Sequence, residues 1–396
     1  MVAFLVISLG SPVLRGQQNS ADSSLLKELR DLPEDIQSEL PDELRELFED
    51  FEISAWQTTV TLKSLLGYRE NLGLSPVSPE AALFGELRAE SFVWWTPVDS
   101  SWEALAMLDG QVRRYEKNQA GDTEQTWFSH AELRWSPWSR LRVSGRIQGY
   151  FQDEVLDLSV SASQRTILPV KVWGGMSDLE TQLQLWGGFS IRGRARLQRA
   201  DYKDVSEDNV ATEFRGELGW KPVDWISASY GYVSRNRAYD FRNETTLGGR
   251  AIADTDLSFS QNEPEARLHI GFRSLGRWRL AGVWSDVENR DEASGFFDYD
   301  RERWRGILEW FSPKSKWEVR FEYDVKTTDY LKQTVGSGLT PDARSQDDRR
   351  IHLELLHRLS DQWELLAQAT DERSESNEIA SSYRDRTVMA GIGFTF

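Results

Sequence analysis

The feature that most constrains the fold is a long, regular alternation of apolar and charged residues. In the segment 317–326, WEVRFEYDVK, Trp, Val, Phe, Tyr and Val alternate with Glu, Arg, Glu, Asp and Lys. Successive side chains of a β-strand point to opposite faces, so this pattern places the rings on one face and the charges on the other. The same division recurs at 189–198 and 141–148, and in shorter form at 214–220 and 363–370. These segments are predicted to be two-faced strands.

The length of these runs indicates which environment the apolar face meets. They extend for about 9 to 11 residues, the length of a tilted strand that crosses about 30 Å of hydrocarbon, whereas strands of soluble proteins commonly have about 5 or 6. Beyond the first dozen residues, no run of about 18 apolar residues predicts a membrane-spanning helix. The chain still has 17 Trp, 11 Tyr and 18 Phe, which need apolar surroundings. We therefore expect the apolar face to contact lipid.

The connections between strands fall into two classes. The short ones, which tryptophans flank or occupy, are at 96–101, 136–140, 186–188, 221–224, 274–277, 312–316 and 360–362. The longer polar ones are near 67–80, 117–125, 152–167, 201–211, 235–254, 286–298, 327–347 and 371–383. Indole rings favour membrane interfaces, and short periplasmic turns opposite long external loops are typical of bacterial barrels. The predicted fold is all-β: a transmembrane antiparallel up-and-down β-barrel of about 16 strands over residues 52–396.

Two segments are expected before the barrel. Residues 1–20 include a short apolar run and predict a signal peptide, although no Lys or Arg precedes the run and no A-x-A site follows it. Residues 21–51 have apolar residues at helical spacing and many carboxylates, with breaks at Pro33 and Pro41. They predict an acidic amphipathic helical periplasmic segment. It would dock a partner, plug the barrel mouth or serve as a solvated lead-in.

Several kinds of function are disfavoured by composition. A formal charge of -17 argues against nucleic-acid partners, and the absence of cysteine excludes thiolate chemistry. The four histidines, His130, His269, His352 and His357, have no identifiable nucleophile and acid beside them. The acidic residues of segment 286–292 lack EF-hand spacing. We therefore predict no enzyme, no cofactor and no metal site.

The C-terminal residues resemble a known closing strand. Residues 388–396, VMAGIGFTF, end in Phe and have apolar residues at alternate positions, which is similar to the last strand of bacterial outer-membrane proteins. The resemblance implies localisation in the outer membrane of a Gram-negative envelope. It also implies that the barrel-assembly machinery recognises this strand, with Phe394 and Phe396 as its signal.

Among barrels of this size, the chain resembles the general porins, in which the third long loop folds inward opposite a wall of arginines. The resemblance implies a possible constriction loop at 152–167 with Asp153, Glu154 and Asp157. The charged faces of the strands would then line the pore. These residues are Arg142, Arg146, Arg192, Arg194, Arg196, Arg215, Arg267, Arg273, Arg279, Arg305, Arg320, Glu309, Glu318 and Glu322.

This density of charge predicts a wet lumen, because unpaired ions in a dry core cost several kcal/mol each. The expected function is a porin-like channel for passive diffusion of small hydrophilic solutes or ions. The alternative is a barrel for export, assembly or surface attachment that docks a periplasmic partner through residues 21–51. Expected partners are outer-membrane lipid and lipopolysaccharide and the assembly machinery, with a homotrimer and a periplasmic partner as further possibilities.

Overall fold

The computed structural model describes residues 55–396 except 73, 75–78, 80, 98–99, 117–122, 158–166, 204–206, 337–340 and 379–380, and the side chains of 154–157 and 167–169. The predicted signal peptide (1–20) and acidic helical segment (21–51) lie outside these residues. Within the described ranges, no helix is long and apolar enough to cross a membrane.

The described chain from Trp56 onward folds into sixteen strands. They are β1 (Trp56–Arg69), β2 (Ala82–Trp95), β3 (Trp102–Tyr115), β4 (Thr123–Trp138), β5 (Leu141–Asp157), β6 (Ile167–Gln184), β7 (Phe189–Lys203), β8 (Asn209–Val223), β9 (Ile226–Tyr239), β10 (Ser258–Arg273), β11 (Arg277–Asp291), β12 (Tyr299–Phe311), β13 (Trp317–Val335), β14 (Asp342–Arg358), β15 (Trp363–Ser376) and β16 (Tyr383–Thr395).

Each strand pairs antiparallel with its neighbours in sequence, and β1 also pairs with β16, which closes the barrel. The closing register runs from Thr61 opposite Thr395 to Arg69 opposite Thr387. The predicted antiparallel up-and-down barrel of about sixteen strands is confirmed.

The strands are longer than the alternation predicted. The shortest has 13 residues and β13 has 19, so the strands continue well into the predicted long loops. Beyond Lys326, both faces of β13 are mostly polar, which removes the alternation, yet pairing with β14 continues to Val335 opposite Asp342. Backbone pairing does not require an apolar face once a strand has left the lipid.

The outer face exposes large apolar side chains around the barrel. Leu66 is 76% exposed, Ile147 69%, Leu87 66% and Phe214 65%. Directly paired residues share a face of a sheet, so the register extends this assignment from strand to strand. An apolar outer face of this extent is stable in lipid and not in water.

Tryptophans form a belt on the outside at the short-turn end of the barrel. It consists of Trp56, Trp95, Trp102, Trp135, Trp138, Trp186, Trp220, Trp225, Trp278, Trp310, Trp317 and Trp363. Four more outward tryptophans, which the sequence interpretation missed, lie further from the short turns: Trp127 and Trp173 in the long-loop halves of β4 and β6, and Trp284 and Trp304 near the middle of β11 and β12. The indole N–H groups of Trp284 and Trp304 both donate to Glu302 Oε1 at 3.0 Å. The belt marks the interface between lipid and water at the short-turn end.

Candidate functional site: the inner wall

The candidate site is the face of the sheet opposite the exposed apolar residues. The register brings the predicted pore-lining arginines and glutamates together on this inner face, where Arg192 lies opposite Glu217 and Glu309 opposite Arg320. The same register places the remaining members there: Arg142, Arg146, Arg194, Arg196, Arg215, Arg267, Arg273, Arg279, Arg305, Glu318 and Glu322.

The inner wall is organised as ion pairs that pass from strand to strand. Arg146 on β5 contacts Glu132 on β4 at 3.2 Å, and Asp178 and Glu180 on β6 at 3.2 and 3.0 Å. The Asp178 side chain is 0% exposed and also binds Arg196 of β7 at 3.1 Å. One arginine therefore links three adjacent strands through charge-assisted hydrogen bonds.

The chain of ion pairs continues across β7, β8 and β10. Glu217 accepts hydrogen bonds from Arg192 at 3.1 Å and from Arg215 at 2.9 Å. Arg215 also donates to Glu265 of β10 at 2.6 Å, and Arg267 forms an ion pair with the same carboxylate. Three arginines, Arg192, Arg215 and Arg267, therefore share two carboxylates on these strands.

Arg194 of β7 has a partner that the sequence interpretation did not single out. It binds Glu213 of β8 at 2.6 Å, and Arg235 of β9 binds the same carboxylate at 2.5 Å. Glu213 alternates with the outward Phe214, so the pattern that found Arg215 and Glu217 could have found it too.

A second cluster lies on β11, β12 and β13. Arg320 lies 3.4 Å from Glu309 and 3.6 Å from Glu322, and Arg305 lies 2.9 Å from Glu322. Arg279 reaches Glu309 at 3.9 Å. By contrast, Arg142 and Arg273 are exposed. Among the described residues, no carboxylate oxygen lies within 4.0 Å, the limit for an ion pair, of either guanidinium group.

The sector from β15 through β1 to β3 holds buried acids that were not among the predicted pore-lining residues. Glu86, with a side chain 0% exposed, binds Arg88 at 2.7 Å and Arg113 at 2.8 Å. Lys63 lies between Glu90 at 2.7 Å and Glu364 at 3.7 Å. In β2, Glu86, Arg88 and Glu90 alternate with apolar residues, so the alternation could have predicted that these charged side chains face inward.

The predicted constriction loop has the wrong boundaries. Asp153, Glu154 and Asp157 belong to β5, which pairs with β6 as far as Asp157 opposite Ile167. Asp153 lies on the outer face and binds Lys171 at 2.8 Å. The two strands therefore stay paired through the first and last residues of the segment that was expected to be a loop.

Two other connections meet at the long-loop end. Tyr239, Leu257 and Phe297 form a buried cluster with Phe259 and Phe296 against it. It joins the connection 240–257 to the connection 292–298, and the Ser294 hydroxyl donates to the Thr245 carbonyl. These two connections have a packed structure at this mouth.

The connection 292–298 is organised by two aspartates. Asp291 Oδ1 accepts from the Gly295 amide at 2.6 Å, and its Oδ2 accepts from the Phe297 amide at 2.8 Å. Asp298 Oδ1 accepts from the Asp291 amide at 2.7 Å, and burial raises the pKa of Asp298. Asp291, one of the acids of segment 286–292, thus has a structural role. Among the described residues, no group of His or acidic side chains could hold a metal ion.

The four histidines are dispersed. His130 Nδ1 shares a hydrogen bond of 2.9 Å with Gln148, and His352 Nδ1 shares one of 3.0 Å with Thr370. His269 also lies on the inner face, whereas His357 is on the outer face and stacks on Trp317 with centroids 3.9 Å apart. His130 Nε2 also lies 3.6 Å from Glu132, and His352 Nε2 lies 4.0 Å from Glu354.

A closed barrel with an apolar exterior, interfacial tryptophans and an ionic interior defines a bacterial outer-membrane β-barrel. No model of a known protein family matches the chain, and no curated protein matches its sequence.

Solved structures with a similar backbone trace include the anion-selective porin from Comamonas acidovorans. The two proteins have 11% sequence identity and a TM-score of 0.45, and the match covers 86% of this chain and 99% of the porin. Acinetobacter baumannii OccAB1 has 7% identity and a TM-score of 0.46 over 87% and 97% of the two chains. OmpT, an outer-membrane protein of Vibrio cholerae, has 10% identity and a TM-score of 0.44 over 86% and 97%. The assignment to the barrel class therefore depends on strand pairing and on the two faces of the sheet.

Proposed function

We propose that the protein is a porin-like channel through which small hydrophilic solutes or ions diffuse passively across the outer membrane, with no chemistry performed. The observation that carries the proposal is the inner wall of cross-strand ion pairs. Buried charges are tolerated when they are paired or hydrated, and this wall has both paired arginines and exposed ones such as Arg142 and Arg273.

The size of the barrel supports the same function. Sixteen strands enclose more volume than inward side chains fill, and barrels of about 16 to 18 strands keep an aqueous channel. The inward residues named above are then the lining of the pore.

We further propose that the lining has a basic and an acidic sector. In a closed barrel of sixteen strands, β1 lies opposite β9. The sector β7–β9 presents Arg192, Arg194, Arg196, Arg215 and Arg235 inward, whereas acids including Glu364, Asp385, Glu86, Glu90 and Asp109 lie on β15 to β3. Charged walls bias which ions pass, so the balance of the two sectors would set the selectivity.

Conductance of the purified protein in a planar lipid bilayer tests the channel. We expect steady openings that scale with salt concentration. The double variant Arg194→Gln, Arg196→Gln should shift the reversal potential in a KCl gradient toward cation selectivity, because it removes two positive charges from the lining.

Arg199→Gln is the matched control. Arg199 lies on the same strand, but on the outer face, where it binds Asp201 at 2.7 Å. Its removal should leave the reversal potential unchanged. A silent bilayer with folded protein would contradict the channel, and equal shifts in the two variants would contradict the assignment of the lining.

We also propose that the barrel-assembly machinery recognises β16 through Phe394 and Phe396. Both rings lie at the outer rim with centroids 4.7 Å apart, and Phe396 is 68% exposed. Phe396→Ala should reduce the amount of folded protein in the membrane of expressing cells without changing the stability of protein refolded in vesicles. Equal loss in both measurements would indicate a structural role only.

A further inference from the structure

Three arginines form an unusual cluster on the inner wall at the short-turn end of β10 and β11. Arg273 and Arg277 are directly opposite each other in the register, and Arg279 lies one inward position further along β11. Like charges placed directly opposite on a sheet repel each other and destabilise the pair. An arrangement of this kind needs a source of negative charge.

The protein provides little of that charge at this place. Among the described residues, neither Arg273 nor Arg277 has a carboxylate oxygen within 4.0 Å, and Arg279 reaches only Glu309, at 3.9 Å. Glu309 is shared with Arg320 at 3.4 Å. The other acid that faces the cluster is Glu318, which is separated from Arg277 by Phe311 on the intervening strand.

The guanidinium groups are held in place by an aromatic ring. The Cζ atoms of Arg277 and Arg279 lie 4.5 and 5.2 Å from the centroid of Phe311. Arg277 Nε and Arg279 Nη1 are buried donors without a hydrogen-bond acceptor in the described part of the chain. Arg194 and Arg305 also have an unsatisfied Nε but bind a carboxylate through another nitrogen, whereas Arg277, like the inward Arg350, does not.

We propose that Arg273, Arg277 and Arg279 form a binding site for an oxyanion, a carboxylate or phosphate group, at the short-turn end of the lumen. Oxygen acceptors would satisfy the buried donors and neutralise the opposed charges, since guanidinium groups bind such anions through charge-assisted hydrogen bonds. The inference rests on the proposed function to the extent that the lumen must be open to solution.

Phosphorus-31 NMR of inorganic phosphate with the purified protein in detergent tests this site without requiring conduction. We expect saturable broadening of the phosphate signal by the unaltered protein. Arg277→Gln should weaken phosphate binding about tenfold or more, because a charged hydrogen-bonding partner is lost. Arg273→Gln provides a second variant, and far-ultraviolet circular dichroism verifies that both retain the barrel.

Arg142→Gln is the matched control, because Arg142 is also an inner arginine near a short turn and has no described carboxylate partner. It should bind phosphate as the unaltered protein does. Equal binding by Arg142→Gln and Arg277→Gln, or no broadening in any sample, would overturn the site. Competition by acetate would extend the site to carboxylates, and its failure would overturn that half of the proposal.

The outcome is separable from that of the channel experiment. Phosphate binding together with a silent bilayer would support the anion site and contradict the proposed channel function. Normal conductance with no phosphate binding would contradict the anion site and leave the proposed channel function unaffected.

Discussion

Arg215 on β8 donates a hydrogen bond of 2.6 Å to Glu265 on β10, across the intervening strand β9. The inward residue of β9 at this level is Gly231, which lies between Glu217 and Glu265 in the register. A Cβ atom on Gly231 would lie 3.5 Å from Glu217 Cβ and 3.0 Å from the Gly216 carbonyl oxygen. The missing side chain therefore permits an ion pair between strands that are not neighbours.

Gly231→Leu should break this ion pair by filling the space between the two strands. We expect the free energy of unfolding to fall by about 1 to 3 kcal/mol, the range for overpacking. Urea unfolding in lipid vesicles measures it. Gly193→Leu is the control, because Gly193 has open space around its Cβ position on the outer face. An equal loss in both variants would contradict this role of Gly231.

Two consecutive residues of β5 test which face meets lipid. Ile147 is 69% exposed on the outer face, and Gln148 faces inward and contacts His130. Ile147→Arg should lower the free energy of unfolding in vesicles by about 2 to 4 kcal/mol, the cost of arginine at the lipid midplane. Gln148→Arg should cost less than about 1 kcal/mol, since its charge enters the lumen. If Gln148→Arg lowered the free energy of unfolding more than Ile147→Arg, the assignment of the outer and inner faces would be wrong.

The turn between β6 and β7 allows a comparison of two adjacent glycines. Gly187 and Gly188 both have positive φ, 65° and 80°. A Cβ atom on Gly188 would lie 2.2 Å from the Lys221 carbonyl oxygen, whereas the nearest atom to a Cβ on Gly187 is 3.8 Å away. Gly187→Ala should lower the free energy of unfolding by about 1 kcal/mol, because alanine disfavours a positive φ. Gly188→Ala should cost at least about 1 kcal/mol more, because the turn must shift.

Those two variants are compared by their urea midpoints in vesicles of one composition. Equal midpoints would mean that Lys221 moves aside without cost.

The stability of the connection 292–298 should depend on pH. Burial raises the pKa of Asp298, against the lowering effect of its hydrogen bond from the Asp291 amide. The closed connection therefore binds a proton more tightly than the opened one. Its stability is greatest below the ordinary pKa of 3.8 and falls as pH rises through the raised value.

Hydrogen exchange of the Gly295 and Phe297 amides, corrected for intrinsic rates, reports this opening. Opening should become more frequent above about pH 4 in the unaltered protein. In Asp298→Asn, which keeps an oxygen acceptor and does not ionise, the frequency should be independent of pH. Asp224→Asn, in a turn at the other end, should behave as the unaltered protein. A dependence that persists in Asp298→Asn would assign it to another group.

Much of the fold could be predicted from the sequence, because lipid on one side and water on the other impose a period of two on each strand. That period identified Trp317–Lys326 and the inner position of Arg146. It gave no information about where strands end, because a hairpin in water keeps its backbone pairs without an apolar face. β5, for example, extends through Asp153, which was expected in a loop.

The partners of the inner arginines were beyond sequence reasoning for a different reason. Alternation assigns a residue to a face, but the tilt and register of neighbouring strands decide which side chains meet. The contact of Arg215 with Glu265 depends on the backbone of a third strand at Gly231. The bond between Arg194 and Glu213 likewise requires the pairing of β7 with β8.

The pairing of β1 with β16 has a consequence for how the chain acquires its structure. Thr61 and Thr395, whose hydroxyls lie 3.0 Å apart, are 334 positions apart in the chain. Two strand edges therefore stay open until the remaining fourteen strands are arranged between them. Open edges are templates for association with other chains, and contacts of such sequence separation form slowly. Sealing the seam, rather than forming any single hairpin, should be the step at which productive insertion competes with aggregation.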